Sequence, residues 1–316
     1  MDIPQELKEQ IEKISTGLKY KNVIEESQII SKKYRENDGK GKKMLTKQIE
    51  AIAYAISRMP ATYSAVYAVL SKVLDKYNKE VQSVLDIGAG TGAATWATKE
   101  FINPQKVTCL EREQAMRNIG KQLMCNNLEN VEWKEFDLIS DNIEEKVDLI
   151  VTSYVINELS EENRKKSIEK MWEATNDLLV IIEPGTPEGF KHINEARELI
   201  LAKNANIVAP CSHNGKCPIN TKEDWCSFYV RVSRSGIQRQ AKKGELSYED
   251  EKFSYIAFSK TPVVTEQARI LRHPQINSGY VKVKLCTPNG LEEKTYSKKD
   301  GEIYKKVRKL NAGDTI

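Results

Sequence analysis

No apolar run in these 316 residues approaches the length needed to cross a bilayer. The amino terminus, Met1-Asp-Ile-Pro-Gln-Glu-Leu-Lys-Glu-Gln10, is acidic and polar. It has neither the apolar stretch of a secretory signal nor the arginines of a transit peptide. These absences predict a cytoplasmic protein with no membrane partner. Cys-x2-Cys is missing too, so no ready-made zinc knuckle is present. Six cysteines are present nonetheless. In a cytoplasmic chain they point to metal or catalysis before disulfides, and no disulfide partner is expected.

Hydrophobic content of 40% and charged content of 30% predict a globular chain, and its length leaves room for two domains. Net charge is only +4, but it is unevenly spread. Residues 1–190 carry net −5 and residues 191–316 net +9. The basic half is the face expected to meet an RNA backbone, although a solvated lysine-rich surface has the same statistics.

The most informative stretch is Val84-Leu-Asp-Ile-Gly-Ala-Gly-Thr-Gly-Ala-Ala-Thr-Trp96. An apolar run reads as a buried strand, Gly88, Gly90 and Gly92 crowd one turn, and alanines open a helix. Such a unit makes a nucleotide-type site at the carboxyl end of a parallel sheet. Gly88-x-Gly90-x-x-Ala93 also satisfies the dinucleotide fingerprint, which keeps a nicotinamide oxidoreductase open as a weaker reading. Asp86 argues for a different ligand. At the strand tip its carboxylate can accept from an ammonium group, which S-adenosylmethionine has. Asp-x-Gly-x-Gly-x-Gly resembles motif I of the Rossmann-like methyltransferases.

Residues 1–80 read as a helical region, with Leu7, Ile11, Ile14 and Leu18, then Ile49, Ile52, Ala53 and Ile56, at helical spacing. Lys40, Lys42 and Lys43, after an Asn37-Asp38-Gly39 turn signal, are candidate phosphate contacts. Pro60 breaks the pattern before a further helix over 61–77. Residues 81–190 alternate strand and helix, which predicts a parallel sheet with strands at 84–87, 107–110, 131–135, 147–152 and 178–182. Glu111, ending the second strand, is placed to accept both ribose hydroxyls, and Asp137, after the third, the adenine amino group. Cys109 reads as a small core residue.

The methyl-transfer position of this fold follows the fourth strand, at Thr152-Ser-Tyr-Val-Ile-Asn-Glu-Leu159. The Asn/Asp-Pro-Pro-aromatic of amino-methylating enzymes is absent, and so is the cysteine of a base carbon-5 methyltransferase. Pro210-Cys211-Ser212 mimics the latter but follows the fifth strand. Tyr154, Asn157 and Glu183, the last in a stiff Glu-Pro-Gly-Thr-Pro loop, are the candidate catalytic residues. A wall of the cofactor pocket is an equal reading for them.

Further on, Cys211, Cys217 and Cys226 lie in a Pro/Gly-rich loop, and Cys286 ends the alternating strand 280–286. Four thiolates can hold zinc or a [4Fe–4S] cluster, and the spacing alone chooses neither. Arg231, Arg234, Arg239, Lys242 and Lys243 interleave with Phe228 and Tyr229, a pattern suited to phosphate contact with base stacking. Strands at 281–286 and 291–297 read as a hairpin with an Asn289-Gly290 turn.

These segments together resemble the Rsm-twenty-two-type family of methyltransferase-like proteins. The resemblance rests on Arg58-Met-Pro-Ala-Thr-Tyr63, Asp86–Gly92, Glu183-Pro-Gly-Thr-Pro187, Ala209-Pro-Cys-Ser-His213, Lys216-Cys-Pro218, Asp224-Trp-Cys226, 248–255 and Leu285-Cys-Thr-Pro288. It implies an α/β class I methyltransferase fold with a cluster on Cys211, Cys217, Cys226 and Cys286. It also implies a place on the immature small ribosomal subunit, touching its rRNA; off the ribosome the chain is expected to be a monomer. Two functions follow: an S-adenosylmethionine-dependent rRNA methyltransferase, or a catalytically inactive assembly factor. The expected division is a helical region over 1–80, a cofactor-binding Rossmann-like domain over 81–200, and a basic cysteine-cluster domain with a hairpin over 201–316.

Overall fold

The computed structural model describes residues 1–35, 45–125, 127–241, 245–264 and 268–316. Lys40, Lys42, Lys43, Lys242 and Lys243, named above as candidate phosphate contacts, lie outside the described residues. Helices α1 (Gln5–Ser15), α2 (Tyr20–Arg35), α3 (Gln48–Ser57) and α4 (Met59–Leu74) come first. Pro60 falls in the first turn of α4, where its missing N–H costs nothing, so it starts that helix.

The alternating part follows as β1 (Ser83–Ile87), α5 (Ala93–Lys99), β2 (Lys106–Glu111), α6 (Gln114–Met124), β3 (Val131–Glu135), β4 (Val147–Ser153), α7 (Glu161–Ala174), β5 (Thr175–Pro184) and α8 (Pro187–Leu201). Next come β6 (Asn206–Ala209), β7 (Phe228–Ser233), α9 (Gly236–Ala241) and β8 (Tyr248–Ser259). One sheet runs in the order β3-β2-β1-β4-β5-β8-β6, with β7 also paired to β8. Strands β1 to β5 are parallel, while β8 is antiparallel to β5, β6 and β7. This is the expected Rossmann-like α/β fold. The order reverses between β1 and β4, and ligands of open α/β sheets bind at that switch point. Three strands from 206–259 complete this sheet, although the sequence grouped that stretch with the cysteine region.

The central strands are buried on both faces, and their side chains alternate between two cores. Val84, Leu149 and Val180 face the layer containing α4, α5 and α6. Leu85, Ile150 and Leu179 face α7 and α8 through Ile168, Trp172 and Ile193. Helices α1, α3 and α4 pack on α5 and α6, so most of the helical region caps the sheet.

A second sheet holds β9 (Arg269–Ile270), β10 (Gln275–Asn277), β11 (Tyr280–Thr287) and β12 (Gly290–Ser297), followed by α10 (Glu302–Val307). Its own small core is built from Ile270, Val283, Leu285, Tyr304 and Val307. The β11–β12 hairpin forms as expected, but Thr287 pairs with Gly290. The turn residues are therefore Pro288 and Asn289, and Gly290, with φ +122°, opens the return strand.

Candidate functional site

A cleft of about 770 Å³ opens at the switch point. Gly88 and Gly90 line its floor with φ of +68° and +57°. Side chains rarely adopt that backbone, and at Gly88 space forbids one as well: a Cβ would stand 2.3 Å from Val155 Cγ2. The N–H groups of Gly88 and Ala89 donate to the Leu110 carbonyl at 2.8 and 3.0 Å, which locks the turn to β2. Gly92 is the left-handed cap of α5, packed toward Met124 and Trp133.

Of the expected cofactor residues, Glu111 and Asp137 line the cleft with the two glycines. Glu111 accepts from the Gly90 and Glu113 N–H groups at 2.8 and 2.7 Å. Each of its oxygens retains a lone pair. Burial holds its pKa above the ordinary value. Asp137 accepts from the Ile139 N–H at 2.9 Å. Asp86 is only 1% exposed and turns under the loop. Its Oδ2 accepts from the Thr95 N–H and hydroxyl at 3.0 and 2.8 Å, and Oδ1 has no partner. Burial pushes this carboxyl up to about 7 against those two hydrogen bonds. Cys109 sits in the core beside Thr95, with Sγ 3.2 Å from its hydroxyl.

The opposite wall comes from the segment after β4. Tyr154 holds φ +61° and its hydroxyl donates to Glu251 at 3.0 Å. Asn157 lines the cleft, and its Oδ1 is buried without a partner. Glu183 is 0% exposed and lies behind this wall. Its Oε1 accepts from the Ile156 N–H at 3.1 Å, Oε2 is unpartnered, and burial raises its pKa well above the carboxylate range. The three candidate catalytic residues thus share one wall, but only Tyr154 and Asn157 face the space. Glu158, whose pKa burial and then Glu111 push up to about 8, also faces it. The roof is supplied by Tyr54, Arg58 and Thr62 of the helical region. Motif reading along the sheet could not assign those three. Their only signal was that Arg58 and Thr62 lie in the Arg58–Tyr63 stretch.

Cys211, Cys217, Cys226 and Cys286 converge on one narrow cavity beneath β8, together with His213, Arg197 and Arg269. Three come from the loop between β6 and β7 and the fourth from β11. The Ser212 hydroxyl donates to the Cys286 carbonyl at 3.1 Å, and the Cys286 Sγ stands 3.7 Å from His213 Nε2. No disulfide links them. Among the described residues, no group of three or more His, Cys, Asp or Glu is arranged to hold a metal ion.

The basic stretch after the cysteines is corrected by the structure. Residues 228–233 form strand β7, and two arginines of the stretch are spent on carboxylates rather than left for phosphate. Arg231 makes a two-pronged bond to Asp250 at 2.8 and 3.1 Å and lies over the Tyr248 ring. Arg234 pairs with Glu249 at 2.9 Å. Phe228 is buried, which leaves Tyr229, 49% exposed, as the aromatic available for stacking.

The family model described as "Mitochondrial small ribosomal subunit Rsm22" matches residues 48–316. The chain belongs to this family. It is 24% identical over 297 residues to the human mitochondrial ribosome assembly protein METTL17, covering 84% of this chain and 62% of that protein. It is 26% identical over 322 residues to the mitochondrial Rsm22-cox11 tandem protein 2 of Schizosaccharomyces pombe, covering 84% of this chain and 43% of that protein. The chain therefore spans roughly half of these relatives' lengths. Among solved structures it is similar to the N-methyltransferase NodS of Bradyrhizobium japonicum, with 14% identity, 75% of this chain and 99% of that chain covered, and a TM-score of 0.44.

The cytoplasmic expectation is overturned by the family. Its description is mitochondrial, and so are both relatives. An acidic, polar start and the absence of a long apolar helix among the described residues carry no information on compartment.

Proposed function

We propose that this chain assists maturation of the small ribosomal subunit, binding its rRNA while holding S-adenosylmethionine in the cleft and a [4Fe–4S] cluster on Cys211, Cys217, Cys226 and Cys286. The observation that carries the reading is the meeting of four cysteines, drawn from two distant segments, in a chain of this family.

The donor set fits such a group. A lone zinc would need the sulfurs within about 4 Å of one another around one point, whereas a cubane holds its cysteines further apart. Four thiols lining one cavity supply the number of sulfurs that either centre takes, and the cubane is the one that the family resemblance implies. The cleft residues fit the nucleoside. Glu111 has lone pairs left for ribose hydroxyls, and Asp137 stands further along for the adenine amino group. Gly88 and Gly90 keep the floor free of side chains. Asp86, engaged with Thr95, stiffens the turn and acts on the ligand through it. When bound, the cofactor supplies an electrophilic methyl group on a sulfonium.

A second reading, methyl transfer to rRNA, is favoured by the unpartnered Asn157 Oδ1 on the cleft wall. Tyr154 and Glu183 weigh against it, since the one hydroxyl is committed to Glu251 and the one carboxyl is sealed behind the wall.

Anaerobic purification tests the main reading. The expected product is brown, with iron and acid-labile sulfide in equal amounts, and it retains S-adenosylmethionine and small subunits. A colourless chain with stoichiometric zinc would remove the cluster and keep the four-thiolate site. Methyl incorporation into purified small-subunit rRNA separates the two readings: labelled rRNA makes the chain an enzyme, and binding without label makes it an assembly factor.

A further inference from the structure

We propose that Arg269 is the counter-cation of the four-cysteine site, held inside the fold to neutralise an anionic centre bound by Cys211, Cys217, Cys226 and Cys286. This rests on the four-cysteine reading above, and the experiment below tells the two apart.

Arg269 is 2% exposed. Its Nη2 donates to Cys226 Sγ at 3.4 Å, while Nε and Nη1 are buried without any partner. Among the described residues no carboxylate reaches it. The guanidinium stands 5.3 Å from the centre of the Phe228 ring, which offers only a weak attraction to a cation. A permanently charged group with two idle donors is costly to bury, and folds retain one where an anion meets it. Four thiolates around zinc or a cubane outnumber the positive charge they bind, so either centre is an anion.

The strand pairing explains the placement. Arg269 lies directly opposite Cys286 in the antiparallel β9–β11 pair, and Ile270 opposite Leu285. Opposed residues project on the same face. Ile270 and Leu285 enter the core of the second sheet, and Arg269 and Cys286 turn together to the cysteine cavity. Arg197 lines the same cavity, but it is committed to the loop: its Nη2 donates to the carbonyls of His213, at 3.2 Å, and Gly215. Arg197 keeps one buried donor without a partner, Nε, whereas Arg269 keeps two and is the guanidinium that bonds a sulfur.

The test uses the full chain, purified without oxygen, as wild type, Arg269→Gln and Arg269→Lys. Metal content, the rate of metal loss to a chelator and, for iron, the midpoint potential are measured. Losing an outer-sphere partner of this kind weakens metal binding about 10–100-fold. Arg269→Gln is expected to release metal at least about tenfold faster, with a more negative potential because the reduced centre loses its nearest cation. Arg269→Lys, which keeps the charge in a different shape, is expected to restore most of both. A merely structural role predicts that Lys and Gln fail alike, and that result overturns the proposal. So does a loaded Gln variant that matches wild type. If Arg269→Gln does not fold, Arg269→Lys against wild type decides: retained loading supports the counter-cation and lost loading overturns it. A wild-type chain that holds no metal overturns the four-cysteine reading itself.

Discussion

Asp86 and Glu158 show how burial sets the chemistry of single residues here. Both carboxyls have folded pKa values raised above their unfolded ones, to about 7 and about 8. For a raised acid the stabilisation belongs to the neutral form. It is complete below the unfolded pKa, near 4, and is lost as pH climbs through the folded value. Wild-type stability should therefore fall between about pH 4 and 7 relative to Asp86→Asn, which cannot ionise and still offers Thr95 an acceptor. Urea melts across that range measure it, and parallel curves would show that Asp86 does not titrate there. Glu158 bears on the ligand. A cationic sulfonium nucleoside prefers an ionised Glu158, so its affinity should rise as pH passes from about 7 to about 9, releasing a proton on binding. Calorimetry in buffers of different ionisation heat reads that proton, and an uncharged nucleoside such as adenosine should show no such gain.

At the scale of elements, the packing of α6 against β3 turns on one missing side chain. A Cβ on Gly120 would stand 2.2 Å from Trp133 Cη2 and 2.4 Å from Cζ2. The same edge of the indole lies beside Gly92 of the glycine turn. Gly120→Ala should cost about 1–3 kcal/mol despite alanine's better helix propensity, because the ring must move. A thermal melt measures the loss, and cofactor affinity should fall with it as Trp133 presses on the turn. The elements themselves were readable from sequence where one cause dominates. Val84–Ile87 and Leu178–Ile182 are strands because both faces are buried, and their apolar runs say so. The cross-strand bonds of Arg231 and Arg234 were not readable, since Asp250 and Glu249 lie across a strand pair rather than nearby in sequence. Burial of Asp86 beneath its own turn was hidden for the same reason: strand position gives the residue, but only the turn's closure on Thr95 gives its direction.

On the scale of the whole molecule, the second sheet meets the first through Leu271, buried in the first sheet's core, through the cysteine cavity and through a set of polar contacts. Arg272 and Lys284 reach Asp224 of the cysteine loop, Lys72 of α4 pairs with Asp314 at 2.9 Å, and Ser212 holds the Cys286 carbonyl. Exposed or half-exposed ion pairs contribute only about 0–1 kcal/mol each. The hydrophobic core of the second sheet is small and separate from those of the first. A centre bound by three cysteines of the loop and one of β11 would therefore be the strongest tie between the two sheets, because metal-binding energy becomes folding energy wherever the site exists only in the fold. Cys286→Ser should then release the metal and free the second sheet while leaving the first intact. Hydrogen exchange should rise about tenfold or more across 269–297 and stay unchanged in β1, β4 and β5. Faster exchange in both sheets would mean that they unfold as one unit. A variant that keeps its metal would mean that the fourth ligand is another residue, with His213, 3.7 Å from that sulfur, the first to test.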